Sequence, residues 1–176
     1  MNWAHVHLAL NHVPVVGVFG IALLLIIALY SHNTGLARLT SGLLVLLAIV
    51  TVVVYLTGGA AEELVEGLPD VSEPMIEYHE EVALVGTIVV IVAGIVALGP
   101  LLRWSSDQRI STRTLAAVLV VTLIACGIMA YTANTGGRIR HTEIRSGAAL
   151  SDSSIDQRPT GARELDRASD VAFARC

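Results

Sequence analysis

Four apolar runs, about Val13–Leu29, Ser41–Leu56, Val82–Leu102 and Leu115–Ala130, set the plan of the chain. Each is apolar all round rather than along one stripe, as expected of a helix surrounded by hydrocarbon. Crossing a bilayer takes about 20 mostly apolar residues, so the second and fourth runs span only with their flanks included. The pattern predicts an all-α, integral membrane four-helix up-down bundle over residues 1–140. A polar extramembrane tail over 141–176 follows, rich in Arg, Asp, Ser and Gly and without strong periodicity, so that alone it should not fold.

The boundaries carry their own signals. Pro14 cannot donate to the carbonyl of Leu10, so either the first helix begins at Asn11 as N-cap, or a longer helix from Asn2 bends at Pro14. Ser72 is placed to cap the third helix, with Glu73 and Pro74 in its first turn. Gly99-Pro100 weakens that helix's end. A rough internal repeat joins the halves. Helices 1 and 3 begin beside His12 and His79, and helices 2 and 4 close with Tyr55-Leu-Thr-Gly58-Gly59 and Tyr131-Thr-Ala-Asn-Thr-Gly136-Gly137. The plainer meaning of each Gly-Gly is a helix stop.

Composition agrees with the hydropathy pattern. Of 176 residues, 54% are hydrophobic and 15% charged, and the mean hydropathy is +0.69. A soluble domain of this size rarely reaches such apolarity. All 11 basic residues are Arg against 15 acidic ones, a net charge of −4. Arg38 lies in the first connection and Arg103, Arg109 and Arg113 in the third. The second, from Gly58 to Glu81, has eight carboxylates and no Arg. The positive-inside rule then puts both termini outside, although Arg138, Arg140 and Arg145 oppose it. No cleavable signal peptide is expected, because a basic n-region is missing. Cys126 and Cys176 are not expected to pair. No phosphate-binding loop, nucleophile elbow or nucleic-acid signature appears.

The six histidines give the chemistry. In an alternating bundle His5, His7, His12, His79 and His141 reach one membrane face, and only His32 falls on the other. A b-type haem in a four-helix bundle needs two axial imidazoles from different helices at matched depth. His12 and His79 meet that requirement on diagonal helices and are the leading ligands for haem iron. Gly86 would make room for the macrocycle, as would Gly17 and Gly20, and Arg138 or Arg140 would pair with propionates. His5, His7 and His141 form a second set, for a second haem or a small metal site. Against ligation, an interfacial histidine often only hydrogen-bonds to water, headgroups or a carboxylate, and His32 is read that way. His79-Glu80-Glu81 lacks the second His of a zincin motif. The acidic connection is more simply a solvated face, and Tyr55 and Tyr131 fit an interfacial aromatic belt.

The stretch Leu8-Ala-Leu-Asn11-His12-Val-Pro14, four spans and a His opening helix 3 resemble small, poorly characterised bacterial four-helix membrane proteins, some suspected of binding haem. The arrangement is also loosely similar to b-type cytochrome membrane subunits of oxidoreductases. It departs from the two-haem versions that carry electrons across the bilayer, since the inner side has only His32. The resemblance implies an electron-transfer or structural subunit of a redox complex in the bacterial inner membrane, more non-catalytic than enzymatic. Its expected cofactor is haem b (one, or two), and its expected partners are lipids, other membrane or periplasmic subunits, and quinol or cytochrome c. The first rival is a non-catalytic anchor or assembly subunit, docking a periplasmic partner through its tail, with Gly86 and Gly94 serving close helix contact. The second is a metal or proton transporter, against which only hydroxyls such as Thr51, Thr87 and Thr122 continue a polar path.

Overall fold

The computed structural model describes residues 2–69, 71–102 and 110–141, the last with Arg140 in main chain only. Arg103, Arg109, Arg145, Cys176 and the tail from Thr142 lie outside the described residues. Contacts divide the chain into Met1–Arg140 and His141–Cys176. Among the described residues of the first unit there are six helices: α1 (Trp3–Leu10), α2 (His12–Ser31), α3 (Thr34–Leu56), α4 (Gly58–Val65), α5 (Glu73–Leu102) and α6 (Thr112–Arg140). With α1–α2 and α3–α4 each taken as one near-continuous rod, four are long and apolar enough to cross a membrane. The chain is an all-α, multi-pass membrane protein built on a four-helix bundle.

The long helices close a square in which α2 packs on α3, α3 on α5, α5 on α6 and α6 on α2. The pairs α2/α5 and α3/α6 are thus diagonal. Each helix buries one face at three- and four-residue spacing. On α2 it is Pro14, Val18, Ile21, Ala22, Leu25 and Ala28, and on α3 it runs from Ala37 through Leu44 to Thr51. The opposite faces leave residues such as Phe19, Leu46, Ile88 and Leu123 about half exposed or more, where acyl chains would cover them.

The buried faces are rich in small and hydroxyl side chains rather than large aliphatics, because lipid tails are as apolar as leucine and association rests on close packing. At Gly94 on α5, a Cβ would lie 2.8 Å from Ala48 Cβ on α3. At Gly86 a Cβ would collide with Met129 Cε on α6, so this glycine seats a neighbouring helix. Four of the buried hydroxyls are satisfied within their own helices. Thr40, Ser41, Thr51 and Thr122 each donate to the carbonyl four residues back, at 2.6, 2.8, 2.7 and 2.8 Å. Those of Thr51 and Thr122 are thereby taken up locally.

Three boundaries differ from expectation or choose between alternatives. The Asn2 side chain caps α1, accepting from the Ala4 N–H at 3.3 Å. Asn11 makes no side-chain cap, holds near-helical dihedrals and joins α1 to α2, so the helical path does run from the N-terminus, interrupted at Asn11 and with Pro14 inside the first turn of α2. The connection from Gly58 holds the short helix α4, which packs against α1. The first Gly-Gly pair follows the end of α3 at Leu56 and opens α4, whereas Gly136-Gly137 do not stop a helix and lie inside α6. Where expectation and structure agree, the Ser72 carbonyl receives the first backbone bonds of α5, from Met75 and Ile76. This helix then runs through Gly99 and Pro100 to Leu102.

Gly94→Val should wedge α3 from α5 and cost about 1–3 kcal/mol. Gly20→Ala, with nothing within 4 Å of the added carbon, should be neutral or slightly stabilising. Thermal unfolding in detergent, followed by helicity, checks the pair; equal melting of both variants would contradict close α3–α5 packing.

Candidate functional site

At the end of the bundle where α1 and α5 begin and α3 and α6 close, two histidines occupy matching places. His7, half-buried on α1, lies with Nδ1 2.9 Å from the Val54 carbonyl oxygen near the end of α3. Its ring rests on Gly58, where a Cβ would stand 3.8 Å from His7 Cε1. His79, half-buried on α5, has Nδ1 2.9 Å from Thr135 Oγ1 on α6. This ring lies on Gly136, where a Cβ would come within 2.9 Å of His79 Cε1. Each ring therefore sits on the first glycine of a Thr-Gly-Gly run, Thr57-Gly58-Gly59 or Thr135-Gly136-Gly137.

The acceptors decide which ring nitrogen carries the proton. A carbonyl oxygen can only accept, so His7 donates from Nδ1 to Val54. The Thr135 hydroxyl spends its one proton on the Thr132 carbonyl, at 2.9 Å. It must then accept from His79, which also donates from Nδ1. In both neutral rings the Nε2 lone pair is left to act as a base or a metal ligand. Fixing the distal tautomer through Nδ1–H is how a protein orients an imidazole for ligation. His7 and His79 also lie within electrostatic range of each other.

A buried threonine lies at both sites. Thr57 and Thr135 are each 5% exposed. Thr57 Oγ1 lies 3.0 Å from the same Val54 oxygen that receives His7. The pseudo-repeat thus relates His7 to His79, where the sequence pattern had placed His12 in the first half.

The other expected residues fall as follows. His12 is exposed at the head of α2, and His5 is exposed on α1. His32 is exposed at the opposite end, where it closes α2 in the left-handed region with φ 50°. His141 is exposed and belongs to the second unit. Gly86 is buried at the α5–α6 contact, a place that Met129 fills. Arg138 is half-buried on α6 within electrostatic range of Tyr78, and the Arg140 side chain lies outside the described atoms. Among the described residues, no group of three or more His, Cys, Asp or Glu is arranged to hold a metal ion. The ring nitrogens of His7 and His79 are thus the donor set on offer, with Glu62 of α4 and Glu77 and Glu80 of α5 in mutual electrostatic range nearby.

Sequence reasoning passed over the role of the two threonines and the primacy of His7. The signal was the threonine preceding Gly-Gly in both copies. Searches found no family model, curated protein or solved structure that matches this chain.

In ¹⁵N spectra of the neutral full chain, both rings should show protonated Nδ1 and bare Nε2. Thr135→Val should release His79 into a mixture of tautomers while His7 stays unchanged. A wild-type His79 protonated at Nε2 would contradict the assignment.

Proposed function

We propose that this protein is a membrane-embedded b-type cytochrome subunit of a larger redox complex, in which His7 and His79 would hold one haem. The observation that carries this reading is the pair of imidazoles pinned through Nδ1 in the two halves of one bundle, each with Nε2 open. Bis-imidazole ligation asks for that donor chemistry. Gly136 fits the same reading, since any side chain there would displace the His79 ring. His12 was the earlier candidate opposite His79, and its exposure makes His7 the better supported partner. Arg138, which the sequence reading assigned to a propionate, remains the cation proposed for that role.

When bound, haem supplies one-electron chemistry. The chain's own residues orient its ligands: the Val54 carbonyl and Thr135 hydroxyl hold the imidazoles, and Gly136 clears the space for the His79 ring. Electrons would pass to or from other membrane or periplasmic subunits, with quinol or a c-type cytochrome as the exchange partner.

The favoured setting is the bacterial inner membrane, with both termini on the periplasmic side. Supporting this are Arg38 and Arg113 at the His32 end and the acidic α4–α5 connection at the other.

Full-length protein produced with haem available should show the visible bands of two-imidazole haem, sharpening on reduction. His7→Ala and His79→Ala should each lower haem retention more than about tenfold, whereas His12→Ala should retain it. Unchanged spectra in the first two variants would reject this ligand pair. A haem-free chain that still co-purifies with a periplasmic partner, and loses it when cut after Thr142, would favour the anchoring role instead.

A further inference from the structure

Beside the histidine site, on the outer surface of the α5–α6 seam, Tyr78 and Tyr131 form a dyad. Their hydroxyl oxygens are 2.5 Å apart, and their rings meet edge to face with centroids separated by 6.5 Å. Tyr78 immediately precedes His79, and Tyr131 lies one helical turn before the Thr135 that anchors it. Both rings are about half exposed, at 47% and 50%.

Two phenols carry two O–H protons, and their mutual bond uses one. Among the described residues neither hydroxyl has another hydrogen-bond partner. One O–H donor and several lone pairs therefore face outward at a membrane-facing seam. In a medium that offers few partners, such a donor calls for a ligand acceptor.

The seam below the dyad has a matching shape. One turn deeper than Tyr131 on the same face of α6 is Gly127, where an added Cβ would meet nothing within 4 Å. Beyond it the surface is apolar, with Ile124 on α6 53% exposed and Val85 on α5 50% exposed. A polar hydroxyl pair thus sits above an open step, and the step leads into an apolar track along the two helices.

We propose that the Tyr78–Tyr131 dyad binds the headgroup of a membrane quinone or quinol. The spare phenol O–H would donate to a ring carbonyl, the flat ring would rest on the step at Gly127, and the apolar tail would follow Val85 and Ile124. A quinol hydroxyl would use the dyad's lone pairs in place of its donor. A phospholipid ester also offers a carbonyl but brings no flat ring, so it has no need of the step. Quinone as the electron partner of a haem rests on the cytochrome reading, whereas binding itself rests on the dyad and the step.

The test is titration of a short-tail benzoquinone into the full-length chain in lipid nanodiscs, followed by calorimetry, with the visible spectrum recorded on the same samples. Tyr78→Phe and Tyr131→Phe made together should weaken saturable binding about tenfold, the loss of the outward O–H, whereas either change alone leaves one phenol free to donate. Gly127→Leu should do the same by filling the step, and Tyr30→Phe at the far end should change nothing. Helicity and melting identify any variant that has misfolded; the double Tyr→Phe variant, which keeps both rings, carries the decision. Absence of saturable binding to wild type, or wild-type affinity in the double Tyr→Phe variant or in Gly127→Leu, overturns the proposal. Tyrosine-dependent binding without haem bands sustains this site while the cytochrome reading fails. Haem bands without quinone binding give the reverse.

Discussion

A helix in a bilayer finds no water to bond, so every polar side chain it carries must be satisfied inside the bundle or face a ligand. That constraint orders the polar chemistry of this protein. Thr40, Ser41, Thr51 and Thr122 turn back onto their own helices. At one end the pattern changes, and there His7 reaches across to α3, His79 to α6, and Tyr78 to Tyr131. Local satisfaction through the middle and cross-helix bonding at that end separate a passive frame from a place that can do chemistry.

The same constraint explains the glycines. Close helix approach replaces the hydrophobic force that lipid cannot supply, and Gly94 and Gly86 let α5 approach α3 and α6. At Gly136 the small residue has a second use, since the space it leaves holds an imidazole. One residue type thus builds the frame in mid-bundle and the site at its end.

Much of the fold was legible because the bilayer demands long apolar runs, and all four appeared in the sequence. The short helices α1 and α4 were harder to read: eight-residue elements have little periodicity and depend on packing against each other. Gly-Gly reads as a stop by propensity, yet α6 continues through it because neighbouring helices hold it in place. The histidine face depended on Asn11. With α1 and α2 nearly continuous, His7 and His12 are five residues apart and point about 140° from each other around the axis. His7 turns inward and His12 outward, while both keep the depth that made either a candidate. Depth could be read from the runs, but azimuth needed the backbone.

Two rings held through Nδ1 and open at Nε2 are the centre of this account. Low-temperature electron paramagnetic resonance of the oxidised full-length chain, purified with haem supplied, tests it most directly. The account predicts a low-spin ferric signal from two imidazole ligands. A high-spin, singly ligated iron, or a chain that retains no haem, would contradict it.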